Sequence, residues 1–225
     1  MSDIKLTSLQ KDILKFFGKD AFGKNFYWTG GTLLAYFYFN HRFSVDLDFF
    51  SDDLYHDDQY LRFINRLKKS IVARKITLTL EHNRRLYLIE RANEAIKIEL
   101  VFFPFKSIGG KVRIKEFSLA VDSLTDIMVN KTLSTYQRNE VKDVYDLYCY
   151  LNHKPEYNLF RLVKLVERKF GISIEPALLL AKINELASEL GKLQPLLVNP
   201  DSKLDIKVKS FFQNYFNALA KKKIK

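Results

Sequence analysis

The sequence predicts an α+β fold in which a mixed β-sheet flanked by helices is followed by a C-terminal α-helical bundle. Up to about residue 122, short apolar or alternating runs typical of strands are mixed with runs of helical periodicity, and from residue 123 only helical periodicity remains. We see neither an internal repeat nor a low-complexity linker. We therefore expect an α/β core over 1–122 and a helical domain over 123–225 that packs closely against it.

The first part is predicted to begin with an amphipathic helix and to continue as strand, tight turn, helix and strand. A further helix is predicted from a stripe of Leu61, Ile64, Leu67 and Ile71. Short strands follow, with a hairpin turn expected at 83–84 and a loop at 107–110. The predicted elements are helix 6–17, strand 26–29, helix 32–39, strand 45–50, helix 60–72 and strands 76–80, 86–89, 95–103 and 117–121.

The second part is predicted to contain helices only. Ser123 or Thr125 is suited to cap the first of them, because a side-chain oxygen at this position accepts a hydrogen bond from the first turn. The polar residues 137–140 separate it from the next helix. The helices are expected to end at 136 and at about 151, and then to cover 159–169, 176–190 and 206–220.

A glycine turn stands between the first strand and the second helix. The aromatic run that ends at Trp28 and Thr29 is β-prone, and Gly30 and Gly31 follow it directly. Glycines adopt φ angles that other residues avoid, and they let a ligand approach the backbone where a new helix presents free N–H groups. Thr32 adds a hydroxyl, so the turn is suited to phosphate, although a Gly-Gly pair alone usually marks only a turn.

Two carboxylates follow on the next predicted strand. Because side chains alternate along a strand, Asp46 and Asp48 are expected to project from one face. Paired carboxylates repel each other unless a cation lies between them, and a divalent metal is the simplest candidate. A solvated strand face is the alternative, but the apolar residues Val45, Leu47 and Phe49 predict a strand in the interior of the sheet.

The order of these motifs resembles the AbiEii/AbiGii toxin family of nucleotidyltransferases, which belongs to the DNA polymerase β-like superfamily. The resemblance rests on Gly-Gly-Thr at 30–32, His-Arg-X-Ser at 41–44 and Asp-Leu-Asp-Phe-Phe at 46–50. It continues with the helical Lys131, then Arg138, the pair Lys142-Asp143 and Asp146-Leu147, and covers roughly residues 20–152. A nucleotidyltransferase-type sheet is therefore the implied fold.

The resemblance also implies a third acid, which members of the superfamily commonly carry on a neighbouring strand. Glu99 is the best candidate, because it is the one carboxylate within the apolar stretch of strand 95–103. The alternative is that Glu99 pairs with a nearby lysine or arginine. Oxygen ligands of this kind suit Mg²⁺ or Mn²⁺, so Asp46, Asp48 and Glu99 are the predicted metal ligands.

Nucleotide-binding roles are assigned on the same basis. Gly31 and Thr32 are expected to hold the β- and γ-phosphates, and Gly30 is a further nucleotide-binding residue. Arg42 and Ser44 either meet phosphate or anchor their loop. The resemblance implies that Lys131 contacts the triphosphate and that Asp143 or Asp146 orients a basic or ribose group. The later residues are also compatible with a surface row of ion pairs on one helix face. The predicted catalytic residues are Asp46, Asp48, Glu99, Lys131 and Asp143, and Arg138, Lys142 and Asp146 complete the predicted nucleotide site.

Composition limits the other functions. Lys and Arg number 37 against 26 Asp and Glu, and the resulting formal charge of +11 favours a nucleic-acid partner. Cys149 is the single cysteine and the four histidines are scattered, which argues against a disulfide, zinc chemistry or a serine triad. Neither a signal region nor an apolar stretch of membrane-spanning length is visible, so we expect a cytoplasmic protein without a membrane partner.

The predicted activity is transfer of a nucleoside monophosphate from an NTP to an acceptor hydroxyl, with release of pyrophosphate. The resemblance implies a toxin of a type IV-like toxin–antitoxin or phage-defence system, a cognate antitoxin, and RNA such as tRNA as the acceptor. The basic charge agrees with RNA. Two alternatives are an enzyme that nucleotidylates proteins and a non-catalytic scaffold that binds nucleic acid.

Overall fold

A computed structural model describes residues 4–154 and 157–223 of the chain. The chain divides into two compact units, with the boundary after Leu124. The first unit contains all the strands of the described part, and the second unit is helical there. The boundary lies close to the change of pattern expected at residues 122–123.

One seven-stranded sheet forms the first unit, in the order β3-β4-β5-β2-β1-β7-β6. The pairs β2–β5 and β1–β7 are parallel and the other neighbours are antiparallel, so the sheet is mixed and the predicted fold class is confirmed. The strands are β1 (Tyr27–Thr29), β2 (Leu47–Ser51), β3 (Lys75–Glu81), β4 (Arg84–Arg91), β5 (Glu94–Phe102), β6 (Lys111–Ile114) and β7 (Leu119–Asp122).

Aromatic packing joins the sheet to the helices α1 (Ser8–Lys19) and α3 (Asp57–Ser70). The rings of Phe17 and Phe49 are stacked with centroids 3.7 Å apart, and Phe63 meets Phe17 edge-on at 4.9 Å. All three side chains are fully buried. This cluster holds β2, and with it the acidic segment, on a rigid layer.

Several predicted details differ from the structure. Leu61 is 63% exposed, because α3 turns the stripe that contains Phe63 towards the sheet instead. The hairpin turn lies at 82–83, one position before the predicted one. Strand β6 was not predicted, and β2 begins at Leu47 rather than at residue 45, which leaves Val45 half exposed.

The helix after the glycine turn is not a regular α-helix. A short α-helix α2 (Gly30–Leu33) continues as a π-helix over Leu34–Phe39. The N–H of Asn40 donates to the carbonyl of Ala35 at 2.8 Å and closes the last wide turn, and Asn40 itself is left-handed with φ of 49°. Periodicity alone does not distinguish these two helix types.

The second unit consists of α4 (Leu124–Gln137), α5 (Val141–His153), α6 (Leu159–Phe170), α7 (Pro176–Ala187), a 3₁₀ segment (Leu190–Leu196) and α8 (Leu204–Lys223). Asn158 caps α6 through its side chain, and Pro176 occupies the first turn of α7, where its missing N–H costs nothing. The thiol of Cys149 is buried. No helix in the described ranges is long and apolar enough to cross a membrane.

Candidate functional site

The glycine turn is held in place at the end of β1. The hydroxyl of Thr29 donates to the carboxylate of Asp122 at 2.7 Å, which ties β1 to its neighbour β7. Gly30 then adopts a φ of +80°, a conformation that favours glycine. A Cβ at Gly30 would lie 1.9 Å from Oδ2 of Asp48, so the carboxylate lies directly against the turn.

Arg42 and Ser44 lie on the other side of the same turn. A Cβ at Gly31 would be 2.7 Å from Nη2 of Arg42 and 3.3 Å from the Ser44 hydroxyl. Arg42 is only 3% exposed. The structure thus brings Gly31, Arg42 and Ser44 together. Nη1 of Arg42 also donates to the carbonyl of Phe43 at 3.3 Å, a contact within the loop. A buried guanidinium is suited to an anion, and a phosphate contact of Arg42 or Ser44 stays a prediction.

The hydroxyl of Thr32 is engaged within the protein. It lies 2.9 Å from the Ser44 hydroxyl and forms a short hydrogen bond to the backbone carbonyl of Asp46. Thr32 is also buried. Its side chain therefore fixes the segment that carries the first aspartate, while a phosphate contact through the Thr32 backbone stays a prediction.

Two of the predicted acids are direct neighbours in the sheet. Asp48 stands opposite Thr29 in the β1–β2 pair and opposite Glu99 in the parallel β2–β5 pair. Asp46 precedes the first residue of β2, so the expectation that both aspartates belong to one regular strand is wrong by one residue. The side chain of Asp46 is half exposed, whereas Glu99 is buried.

Lys97 connects two of the acids and was not among the predicted residues. Its ammonium lies 3.3 Å from Asp46 and 3.1 Å from Glu99. Burial disfavours the charged lysine, but the hydrogen bond with Glu99 and the charge of Asp46 outweigh it and raise the pKa of Lys97. The sequence spacing could have predicted the contact between Lys97 and Glu99, because residues two apart on a strand such as β5 share a face.

Arg84 on β4 forms a second ion pair with Glu99. The alternative that the sequence left open for this acid, pairing with a nearby lysine and arginine, is thus what the structure contains. Within the described ranges, no three His, Cys, Asp or Glu side chains group closely enough to hold a metal unaided. Direct metal ligation by Glu99 stays a prediction.

Asp46 and Asp48 fit the expected metal chemistry. Mg²⁺ is commonly held by one or two carboxylates together with substrate phosphates, rather than by a complete protein cage. Asp48 lies against the turn suited to phosphate, and the backbone of Asp46 is fixed by Thr32. The two aspartates therefore offer the ligand type that Mg²⁺ or Mn²⁺ needs next to a triphosphate.

Four of the later predicted residues form a cluster of ion pairs within the second unit, and three of them are buried. The ammonium of Lys131 on α4 lies 2.5 Å from Asp143 and 2.9 Å from Asp146, both on α5. Arg138 donates through Nε to Asp143 at 2.8 Å. Burial acts to raise the pKa of Asp143, but the charges of Lys131 and Arg138 and their hydrogen bonds outweigh it and lower that pKa.

The alternative of a surface row of ion pairs does not describe this cluster. Asp143 and Asp146 are fully buried, and both lie against the ammonium of Lys131 on α4. The Arg138 side chain is about half exposed. Lys142 pairs with Glu140 at 3.5 Å, and both of these side chains are also about half exposed. A nucleotide contact of Lys142 stays a prediction.

A second buried ion pair in this unit was missed. Lys169 on α6 donates to Asp126 on α4 at 2.7 Å, and both side chains are almost completely buried. Neither residue is predicted to act in a site from the sequence. A lone lysine at the end of an amphipathic helix carries no signal of burial.

Comparison with known proteins decides the family. The model of the nucleotidyl transferase AbiEii toxin of type IV toxin–antitoxin systems matches residues 12–215. The chain belongs to this family. It is accordingly a nucleotidyltransferase toxin of a type IV system, which confirms the predicted resemblance and extends it over most of the chain.

One protein of similar sequence and two of similar structure accompany the family match. The chain is 26% identical over 166 residues to an uncharacterized protein of Aquifex aeolicus (strain VF5). These aligned residues cover 74% of the chain and 76% of that relative. It is similar in structure to JHP933 from Helicobacter pylori, with a TM-score of 0.60 at 16% identity over 97% of each chain. A second H. pylori structure gives a TM-score of 0.61 at 16% identity, covering 95% of this chain and 94% of the other.

Proposed function

We propose that this AbiEii nucleotidyltransferase transfers a nucleoside monophosphate from an NTP to a hydroxyl of RNA, with tRNA as the expected class, in the presence of Mg²⁺ or Mn²⁺. The observation that carries the proposal is the close approach of Asp48 to Gly30. It puts a carboxylate beside a turn suited to phosphate, and the end of β1 and the start of β2 hold both in register.

Different residues of the chain are proposed to bind the phosphates and the divalent ion. The backbone of Gly30 and Gly31 offers N–H groups to the β- and γ-phosphates, and the guanidinium of Arg42 adds a buried positive charge at the same place. Asp46 and Asp48 supply carboxylate oxygens that would hold the divalent ion beside these phosphates. Lys131, Arg138 and Asp146 remain predicted nucleotide-binding residues, and Asp143 a predicted catalytic one.

The reaction is an in-line displacement at the α-phosphorus. The acceptor oxygen forms a new bond to this phosphorus, the bond to the bridging oxygen of the β-phosphate breaks, and the hydroxyl proton is lost to solvent. A bound divalent ion would lower the pKa of the hydroxyl and neutralise charge on the leaving pyrophosphate. The chain itself contributes orientation of the triphosphate and the carboxylate oxygens that would hold the ion.

The acceptor is assigned from the charge of the whole chain. A formal charge of +11 attracts a polyanion before specific contacts form, and RNA presents hydroxyls as well as phosphates. Membership of a type IV toxin family supports a cognate antitoxin, and we extend this to a role in phage defence within the cytoplasm. A non-catalytic scaffold would have no use for carboxylates that face a phosphate site.

Label transfer tests the proposal and identifies the acceptor. The purified chain is incubated with each α-labelled NTP, Mg²⁺, and either total RNA or a protein extract, and the label is followed to its product. We expect labelled RNA with wild type and with the surface control Asp58→Asn, and a loss of at least about 1,000-fold with Asp46→Asn plus Asp48→Asn. Label on protein alone would reject the RNA acceptor.

The same experiment separates catalysis from binding. A scaffold would bind RNA equally well in wild type and in the double variant, and it would transfer no label in either. Equal labelling by wild type and the double variant would reject the assignment of Asp46 and Asp48. Both outcomes are read against Asp58→Asn, whose carboxylate lies on the exposed face of α3 and pairs with Arg62.

A further inference from the structure

Strand β3 is an open edge of the sheet. It stands first in the strand order, and no strand in the described part of the chain pairs with its outer side. Its pairing with β4 runs without interruption from Lys75 to Glu81, and the strand contains neither proline nor glycine. Leu78 and Leu80 are 47% and 61% exposed. Natural proteins usually protect such edges, because they offer unpaired backbone groups to another strand.

The sequence of this edge is complementary to itself. In an antiparallel pairing of two copies centred on Leu78, Leu78 stands opposite Leu78 of the second copy. Lys75 then meets Glu81, Ile76 meets Leu80, and Thr77 meets Thr79, each in both directions. Opposite charges, apolar pairs and Thr–Thr pairs at facing positions all favour strand association. Each facing pair thus occurs twice, once on either side of Leu78. A two-fold interface requires this kind of repetition about a central residue.

The alternation of side chains agrees with the same arrangement. Ile76, Leu78 and Leu80 share the face of the sheet that carries Tyr87 and Ile89 of β4, so their apolar surface continues one that is already partly covered. Thr77 and Thr79 lie on the opposite face, which continues through Leu86 to Glu99. Facing residues of two paired strands project to the same side of the sheet. A second copy therefore continues the apolar side chains on one face and the threonines on the other.

We propose that this chain forms a homodimer in which β3 pairs antiparallel with β3 of a second copy, centred on Leu78. The two sheets then become one continuous sheet, and the Glu99 faces of the two copies point to the same side of it. Seven residues from each copy take part, fewer than the roughly 20–30 a side of a standard interface, so we expect a weak dimer with a Kd of about 1–100 μM.

Charge reversal at the two ends of the strand tests the pairing. Lys75→Glu places two acidic residues opposite each other at both ends of the interface, and Glu81→Lys does the same with two lysines. Each single variant should weaken the dimer by roughly tenfold or more, measured by sedimentation equilibrium. The double variant Lys75→Glu plus Glu81→Lys restores both opposite-charge pairs, and its Kd should return to within about threefold of wild type.

Mixing the two single variants gives the sharper result. In a mixed dimer, every Glu at the strand ends faces a Lys, so the two variants should associate with each other more tightly than either does with itself. Lys164→Glu and Glu185→Lys serve as controls of equal charge, because both residues are exposed on helices of the second unit. They should dimerise like wild type, and their mixture should gain nothing.

Two outcomes would overturn the proposal. One is a wild-type chain that stays monomeric up to about 0.5 mM, well above the expected Kd, which would leave the edge to a strand from another protein. The other is a dimer whose Kd is the same in Lys75→Glu, Glu81→Lys and the controls, which would locate the interface elsewhere. The readout is association alone, so it is independent of whether the nucleotidyl-transfer proposal holds.

Discussion

Gly30→Ala tests whether the contact between the glycine turn and Asp48 is needed for the reaction. The added Cβ would lie 1.9 Å from Oδ2 and 2.8 Å from Cγ of Asp48. Nonbonded heavy atoms pack at about 3.5 Å, so the carboxylate or the turn has to move by roughly 1.5 Å. Misplacement of a reacting group by about 1 Å can cost about 100-fold in rate. We therefore expect kcat/KM to fall by about 100-fold or more.

The same substitution also strains the backbone, and this effect needs its own control. Gly30 has a φ of +80°, and a left-handed conformation costs an alanine about 1–2 kcal/mol. Gly110 has a φ of +74° in the same unit, and a Cβ there would meet nothing within 4 Å. Gly110→Ala should therefore lose a similar free energy of unfolding while keeping its activity.

Two measurements on each variant separate the effects. Urea unfolding gives the free energy of unfolding, and transfer of α-labelled NTP gives kcat/KM. We expect both variants to be folded, with the loss of activity confined to Gly30→Ala. If Gly30→Ala were as active as Gly110→Ala, the position of Asp48 would not matter for transfer and its proposed role would be wrong.

Three further predictions follow from the ion pairs and from Arg42. Asp143→Asn leaves the buried charge of Lys131 undercompensated and should cost about 3 kcal/mol at pH 7 in urea unfolding. Folding lowers the pKa of Asp143, so its carboxylate stabilises the fold fully above the unfolded pKa of about 3.9 and loses this effect as the pH falls through the lower folded pKa. The difference in unfolding free energy between variant and wild type should therefore shrink in acid. A difference that stays constant down to pH about 2 would contradict this. Lys97→Met removes the ammonium that lies between Asp46 and Glu99. Mn²⁺ should then raise the melting temperature of the variant at several-fold lower concentrations than it does in wild type. An unchanged dependence of the melting temperature on Mn²⁺ would mean that these acids do not bind the ion. Arg42→Gln should raise KM for NTP by about 10- to 100-fold with a smaller effect on kcat, and an unchanged KM would assign Arg42 to loop structure alone.

The first half of the candidate site could be predicted from sequence because its signals are local. A β-prone run before Gly30 and Gly31 marks the turn, and the fold class follows from the alternation of strand and helix patterns. The proximity of Glu99 to Asp48 needed one further step, the expectation that two apolar strands share a sheet. The structure places these two acids at the same register position.

The parts that sequence reasoning missed depend on tertiary contacts. Lys97 shares a face with Glu99, but nothing in the sequence says that the loop before β2 brings Asp46 to the same ammonium. Asp143 and Asp146 have spacings typical of a solvated face, and only the packing of α4 and α5 buries them against Lys131. The π-helix depends on hydrogen bonds that no periodicity distinguishes.

The most direct test of the account is the stoichiometry of products when the chain acts on RNA. Wild-type protein, one NTP, Mg²⁺ and a defined tRNA are incubated, and the RNA mass and the released phosphates are measured together. We expect an RNA heavier by whole nucleoside monophosphates, one pyrophosphate for each addition, and neither product with Asp46→Asn plus Asp48→Asn. Release of orthophosphate with unchanged RNA, or full activity of the double variant, would contradict it.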